Sequence, residues 1–170
     1  MAASSVLILT GACGVGKTTT ARAWAKYHHG AVVECDSFTE WIYDPAFPHW
    51  QPEEEIFTAR LSAKVAAEYV RFGLPAVIDN VWTPDGIRLL YQHLAQWCPE
   101  ATVRAAWLFC QRAENHRRDQ QRIPDHQMGQ RVDVVNEELA SYTWPDSVTK
   151  VDTSELSPTQ VVQQLHALWE

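Results

Sequence analysis

Gly11-Ala12-Cys13-Gly14-Val15-Gly16-Lys17-Thr18 fits the pattern G-x-x-x-x-G-K-[ST], and its reading decides the fold. The apolar, β-type run Val6-Leu7-Ile8-Leu9 comes just before it, and a helix-forming segment from Thr19 to Tyr27 just after. A glycine-rich turn between a strand and a helix lets backbone N–H groups point inward around phosphate oxygens. The helix that follows adds the positive end of its dipole. The pattern therefore assigns Gly11, Ala12, Cys13, Gly14, Val15, Gly16, Lys17, Thr18 and Thr19 to nucleotide phosphates. Within it, Lys17 is expected to reach the β- and γ-phosphates, and the Thr18 hydroxyl to ligate Mg²⁺.

Outward from this loop, strands and helices alternate to the end of the chain. Val6–Thr10, Ala31–Cys35, Pro75–Ile78, Thr102–Phe109 and Ser147–Val151 read as strands. Helices are expected over Thr18–His28, from Pro52 to about Phe72, from Pro84 to about Trp97, over Ala113–Arg122 and over Val132–Tyr142. The Pro52 helix carries Glu53, Glu54 and Glu55 in its first turn, where the dipole favours acids, and stops at Gly73. Thr83 is placed to cap the next helix, with Pro84 at its first position. Ile123-Pro124-Asp125 breaks the fourth helix. Ser157-Pro158 opens a last one, with an apolar stripe of Val161, Val162, Leu165 and Leu168. Strand–helix alternation throughout means βαβ units around a parallel sheet covered on both faces. Ligands of such sheets bind beyond the carboxyl ends of the strands, where the glycine-rich loop, Asp36 and Asp79 all fall.

A length of 170 residues suits one domain over 1–170, large enough to bury a core without metal or disulfide support. The four cysteines (Cys13, Cys35, Cys98 and Cys110) form no C-x-x-C pair or zinc spacing, so small thiols in a reducing cytoplasm are expected. Met1–Ser5 has no basic leader region, and no apolar run approaches membrane-spanning length. The net charge of −7 argues against broad nucleic-acid binding. Yet six of the ten arginines (Arg104, Arg112, Arg117, Arg118, Arg122 and Arg131) fall in one short region, which suggests a focused anionic ligand; the alternative is a solvated helix face.

Asp36 follows the second strand and is placed to accept or orient a proton of a substrate hydroxyl; the alternative is a cap for a short helix from Ser37. Asp79 closes the run Ala76-Val77-Ile78, as an acid holding Mg²⁺ does; the alternative is a strand-end carboxylate that satisfies backbone donors. Which of the two acids is base and which is metal holder stays open at this level. Arg118 and Arg122, four apart on an expected helix, share one face, with Arg117 beside them and Arg112 near the helix start. Such arginines stabilise the dispersed charge of a phosphoryl group in transfer, and a mobile helix carrying them excludes water. The alternative is surface pairing with Glu114 and Asp119. Phe38, Trp41, Tyr43, Phe47 and Trp50 crowd an irregular segment, 37–51, that serves equally as a substrate pocket or a local plug.

With these residues placed, the chain resembles the small P-loop kinases that phosphorylate metabolites or antibiotics, of the gluconate kinase, shikimate kinase and chloramphenicol phosphotransferase kind. The resemblance rests on Gly11–Thr18, Asp36, Asp79 and the Arg118-x-x-x-Arg122 spacing, and on Val151-Asp152-Thr153-Ser154 before a proline-started helix. It implies a three-layer α/β/α P-loop NTPase fold with a five-stranded parallel sheet in the order 2-3-1-4-5. It also implies a helical lid near 112–128, ATP with Mg²⁺, and a small hydroxyl compound as phosphate acceptor. Lys17, Asp36, Arg118 and Arg122 then carry catalysis, Arg112 joins the nucleotide-binding residues, and Thr18 with Asp79 hold the metal. Neither nucleic acid nor membrane is an expected partner, and the state is monomer or homodimer. Residues 37–51 match no single acceptor-binding pattern. The alternatives are a nucleotide-binding ATPase or switch, or an ATP-binding drug-resistance protein without an acceptor. No N-K-x-D motif favours a GTPase, and an AAA+ motor is disfavoured by length.

Overall fold

A computed structural model of the chain describes residues 5–169. The reading of a missing leader therefore falls largely on residues 1–4, outside the described residues. Five strands, β1 (Ser5–Thr10), β2 (Ala31–Glu34), β3 (Ala76–Asp79), β4 (Thr102–Phe109) and β5 (Val148–Asp152), form one parallel sheet in the order β2-β3-β1-β4-β5. The helices between them are α1 (Lys17–His28), the short α2 (Ser37–Glu40), α3 (Pro52–Arg71), α4 (Pro84–Trp97), α5 (Arg112–Gln120), α6 (Arg131–Ser141) and α7 (Pro158–Trp169). A single 3₁₀ turn spans Pro124–His126.

Burial explains the sequence pattern. The inner strands β1 and β3 are buried at every position, and the edge strands β2 and β5 only in part. A strand covered on both faces has no solvent side, so Val6 to Leu9 show no alternation. α1 packs with α7 and α3 with α4, giving a helical layer on each side of the sheet. Ala59, Ala63, Ala66 and Ala67 are all fully buried, so α3 approaches its neighbours closely. The Thr83 cap forms as the sequence suggests: its Oγ1 accepts the Gly86 N–H at 3.1 Å. Chain direction switches at β1, whose successors lie to one side (β2, β3) and then the other (β4, β5). The crevice at that switch is where open α/β sheets take ligands.

Several element ends differ from expectation by one or two residues. α5 ends at Gln120, not Arg122. Ile123 precedes a proline and takes ψ 144°, outside the helical region. The buried Asp119 carboxylate also turns back to accept the backbone N–H groups of Met128 and Gly129, at 2.9–3.1 Å. In α7, Val161, Val162 and Leu165 are buried but Leu168 is exposed, because the helix outruns the sheet it covers. β5 runs to Asp152, one residue beyond the expected end.

Candidate functional site

Thr10 ends β1 and anchors the glycine-rich loop. Its hydroxyl donates to the Trp82 carbonyl at 2.9 Å and accepts the Trp82 N–H at 2.8 Å, tying the loop entrance to the turn after β3. Gly11 has φ +150°, and a Cβ there would lie 2.3 Å from the Leu108 carbonyl oxygen. Gly14 has φ +81°, and a Cβ there would lie 2.4 Å from Asn115 Nδ2. Both glycines are thus demanded by backbone angle and by space. α1 starts at Lys17 with Gly16 as its N-cap and no side-chain cap, so its first N–H groups are left for a ligand. The Lys17 ammonium spans the loop and donates to the Ala12 carbonyl at 3.1 Å.

The Thr18 hydroxyl donates to Asp79 Oδ2 at 2.6 Å, although the two residues lie 61 positions apart. Asp79 is buried, and its Oδ1 has no hydrogen-bond partner. Burial pushes its carboxyl above the usual range; Lys17 and the Thr18 hydroxyl oppose that, while Asp36 adds to it. A buried carboxylate with an orphan oxygen beside a threonine hydroxyl is a donor set that Mg²⁺ fits. The carboxylate is not occupied with backbone donors, which was the other reading of Asp79. Among the described residues no group of three or more His, Cys, Asp or Glu could cage a metal, so phosphate and water oxygens would complete the shell.

Asp36 stands at the N-cap of α2, but its side chain makes no cap hydrogen bond and is exposed. Its backbone carbonyl does the capping, accepting from Thr39 and Glu40 at 3.1 Å. The carboxylate lies near enough to Asp79 to act on its charge.

The arginines are tethered by acids. Arg118 places all five N–H donors: Nε to Glu114 at 2.6 Å, Nη1 to Val15 and Thr153, and Nη2 to the carbonyls of Thr153 and Ser154. It braces the phosphate loop against the turn after β5. Arg117 forks onto Glu114 at 2.6 and 2.7 Å, and these two arginines hold the Glu114 carboxyl at about 2. Arg122 lies beyond the helix end, 3.6 Å from Asp119, so it does not share a helical face with Arg118 as expected. Arg112 is paired with Asp133 at 2.6 Å and borders a cavity of about 480 Å³ between β4, β5 and α6. Thr19 donates back to the Gly16 carbonyl at 2.9 Å.

Two contributors, Asn115 and Asn136, escape a sequence reading, and so does the contact that Thr153 makes. Asn115, fully buried on α5, donates to the Cys13 carbonyl at 2.6 Å and accepts from Asn136 on α6. Thr153 donates to the Val15 carbonyl at 2.8 Å. Lone polar residues like these carry no motif; their signal is burial, which appears only on folding.

The aromatic segment is not a plug at its most prominent positions: Trp41, Tyr43 and Trp50 are 74%, 89% and 75% exposed. Phe38 alone packs partly against the core. Phe47 meets Phe57 and His49 edge-on, at 5.8 and 4.7 Å between ring centres. The Cys35 and Cys98 thiols are buried as expected, whereas Cys13 and Cys110 are half-buried; all four are free. No described helix is long and apolar enough to cross a membrane.

The sheet order, the glycine-rich loop after β1 and the Thr18–Asp79 pair define a fold shared with the P-loop small-molecule kinases. Residues 6–144 match the AAA_33 model, described as an AAA domain, and the chain belongs to that family. No curated protein matches the sequence. Among solved structures, a sugar kinase from Janibacter sp. HTCC2649 is similar at 19% identity, with 96% of this chain and 93% of that one covered and a TM-score of 0.72. The APS kinase of Mycobacterium tuberculosis, in complex with AMPPNP and APS, is similar at 15% identity, with 98% and 97% covered and a TM-score of 0.72. The tunicamycin resistance protein of Deinococcus radiodurans is similar at 22% identity, with 98% and 95% covered and a TM-score of 0.72.

Proposed function

We propose that the protein is an ATP- and Mg²⁺-dependent phosphotransferase that moves the γ-phosphate to a hydroxyl of a small molecule, a metabolite or an antibiotic. The observation that carries this reading is the buried Thr18–Asp79 pair with its orphan Oδ1, set against the loop that Lys17 spans. Thr18 and Asp79 would hold the Mg²⁺, which would supply positive charge against the phosphates. The amides of residues 11–19 and the Lys17 ammonium hold the phosphates. Asp36, exposed at the same edge, orients the acceptor hydroxyl and takes its proton as the new P–O bond forms and the bond to the leaving ADP oxygen breaks. Arg118 braces the loop against the turn after β5. Arg122, tied to Asp119 only at 3.6 Å, is the arginine best able to swing onto the transferring phosphoryl group, and Arg112 flanks the nucleotide. The reading includes one domain over 1–170 with a lid near 112–128, a cytoplasmic location, no nucleic-acid or membrane partner, and a monomer or homodimer.

ADP release measured across a panel of metabolites and antibiotics tests it. The right hydroxyl compound raises turnover sharply, and Lys17→Ala abolishes both turnover and ATP binding. The alternative reading is an ATPase or switch without an acceptor. Turnover that depends on Lys17 but that no compound alters decides for that alternative.

A further inference from the structure

Between Lys26 and Arg60 the chain has no lysine or arginine, yet it holds seven Asp and Glu residues, from Glu34 to Glu55. The whole chain has a net charge of −7, so this stretch accounts for all of it and the remainder is balanced. It runs from the carboxyl end of β2, separated from β1 by β3, through the exposed aromatic segment to the first turn of α3. Under the kinase reading, that is the wall an acceptor meets.

The wall already takes a cation. The Arg131 guanidinium, from the start of α6, lies over the Trp50 indole at 4.0 Å from the ring centre. Trp50 is fixed for this role. Its backbone sits at φ +63°, a conformation costly for a bulky residue, and its N–H is held by the Glu54 carboxylate. Glu54 Oε1 also lies 3.5 Å from His49 Nδ1. An indole face is a seat for ammonium or guanidinium groups. An anionic acceptor would meet a stretch rich in carboxylates that carries no lysine or arginine of its own, although Arg22 pairs with Glu34 and Thr83 takes both oxygens of Glu55.

We propose that the phosphate acceptor bears a cationic group, a protonated amine or guanidinium beside its hydroxyls, which takes the seat on the Trp50 indole that Arg131 occupies. This rests on the kinase reading and narrows it. Displaced from the indole, Arg131 leaves the seat to the acceptor, so the two cations compete for one site.

The test measures ADP release with three matched sets of probes: amino sugars and aminoglycosides, their N-acetylated uncharged derivatives, and the corresponding sugar acids. The amines are expected to exceed their N-acetyl forms by about tenfold in kcat/KM. Trp50→Leu brings that ratio close to one, Trp50→Phe keeps most of it, and Arg131→Gln lowers KM for the amine by removing its competitor. Uncharged or acidic compounds that work as well as the amines overturn the cationic acceptor and leave the kinase reading standing. So does a preference for amines that Trp50→Leu leaves intact. ADP release that no probe of any charge raises overturns the kinase reading and this inference with it.

Discussion

The side-chain amide of Asn115 donates to the carbonyl of Cys13 at 2.6 Å, joining α5 to the phosphate loop across 102 positions of sequence. The same residue accepts from Asn136, which also donates to the Val132 carbonyl at 2.8 Å. α6, α5 and the loop are thus linked by two amides, and the loop's shape depends on helices far from it in the chain. Asn115→Leu leaves the Cys13 carbonyl and the Asn136 amide without that partner inside the protein. A loss of about 2–3 kcal/mol is expected in urea denaturation, with weaker nucleotide binding in titration calorimetry.

Gly14 and Gly129 separate crowding from backbone angle. Both have positive φ, +81° and +55°, but a Cβ on Gly14 meets Asn115 whereas one on Gly129 meets nothing within 4 Å. Gly129→Ala is expected to cost about 1 kcal/mol in thermal unfolding, from strain alone. Gly14→Ala adds displacement of Asn115 and is expected to weaken ATP binding by roughly tenfold or more, about 1.4 kcal/mol.

Asp79→Asn keeps an acceptor for the Thr18 hydroxyl but removes the buried charge. The Mg²⁺ concentration for half-maximal turnover is expected to rise by about tenfold or more. Unfolding of the metal-free protein is expected at an equal or higher temperature, since burial disfavours the ionised carboxyl. A loss of stability together with an unchanged magnesium requirement would make Asp79 structural.

Arg118→Lys retains the charge and loses the fork. A lysine cannot reach Glu114, Val15, Thr153 and Ser154 together. Because the fork joins the glycine-rich loop to the turn after β5, KM for ATP is expected to rise about tenfold while kcat falls less if the proposed function holds. Steady-state kinetics with varied ATP reads the split.

His28 ties stability to pH. Burial first, and the nearby His166, hold its imidazole down at about 4, against an ordinary value near 6.5. Between these values the unfolded chain binds a proton that the folded one refuses, so stability falls as pH drops from about 6.5 to about 4. Chemical denaturation across that window is expected to show this slope, and His28→Phe to flatten it.

The local parts of the fold are legible because their causes are local. Val6–Leu9 followed by Gly11–Thr18 specifies a buried strand, a phosphate loop and a helix start, and the Thr83-Pro84 pair specifies another helix start. The Ile123-Pro124 break is visible too, yet its effect reaches back two residues and takes Arg122 off the helix, because Asp119 turns to cap the next loop. Leu168 looks like a core residue by periodicity, but helical spacing says nothing of where the sheet beneath ends.

The chain by itself determines that a strand, a glycine-rich turn and a helix follow one another at its start, since backbone angles and dipoles act within a few residues. Only the tertiary structure decides that Asp79 comes within 2.6 Å of Thr18, that Asn115 shapes the loop, that Arg118 is a brace, and that Arg131 rests on Trp50. These contacts join residues distant in sequence. Their energies come from burial and charge pairing, which exist only once the sheet has brought the strand ends together.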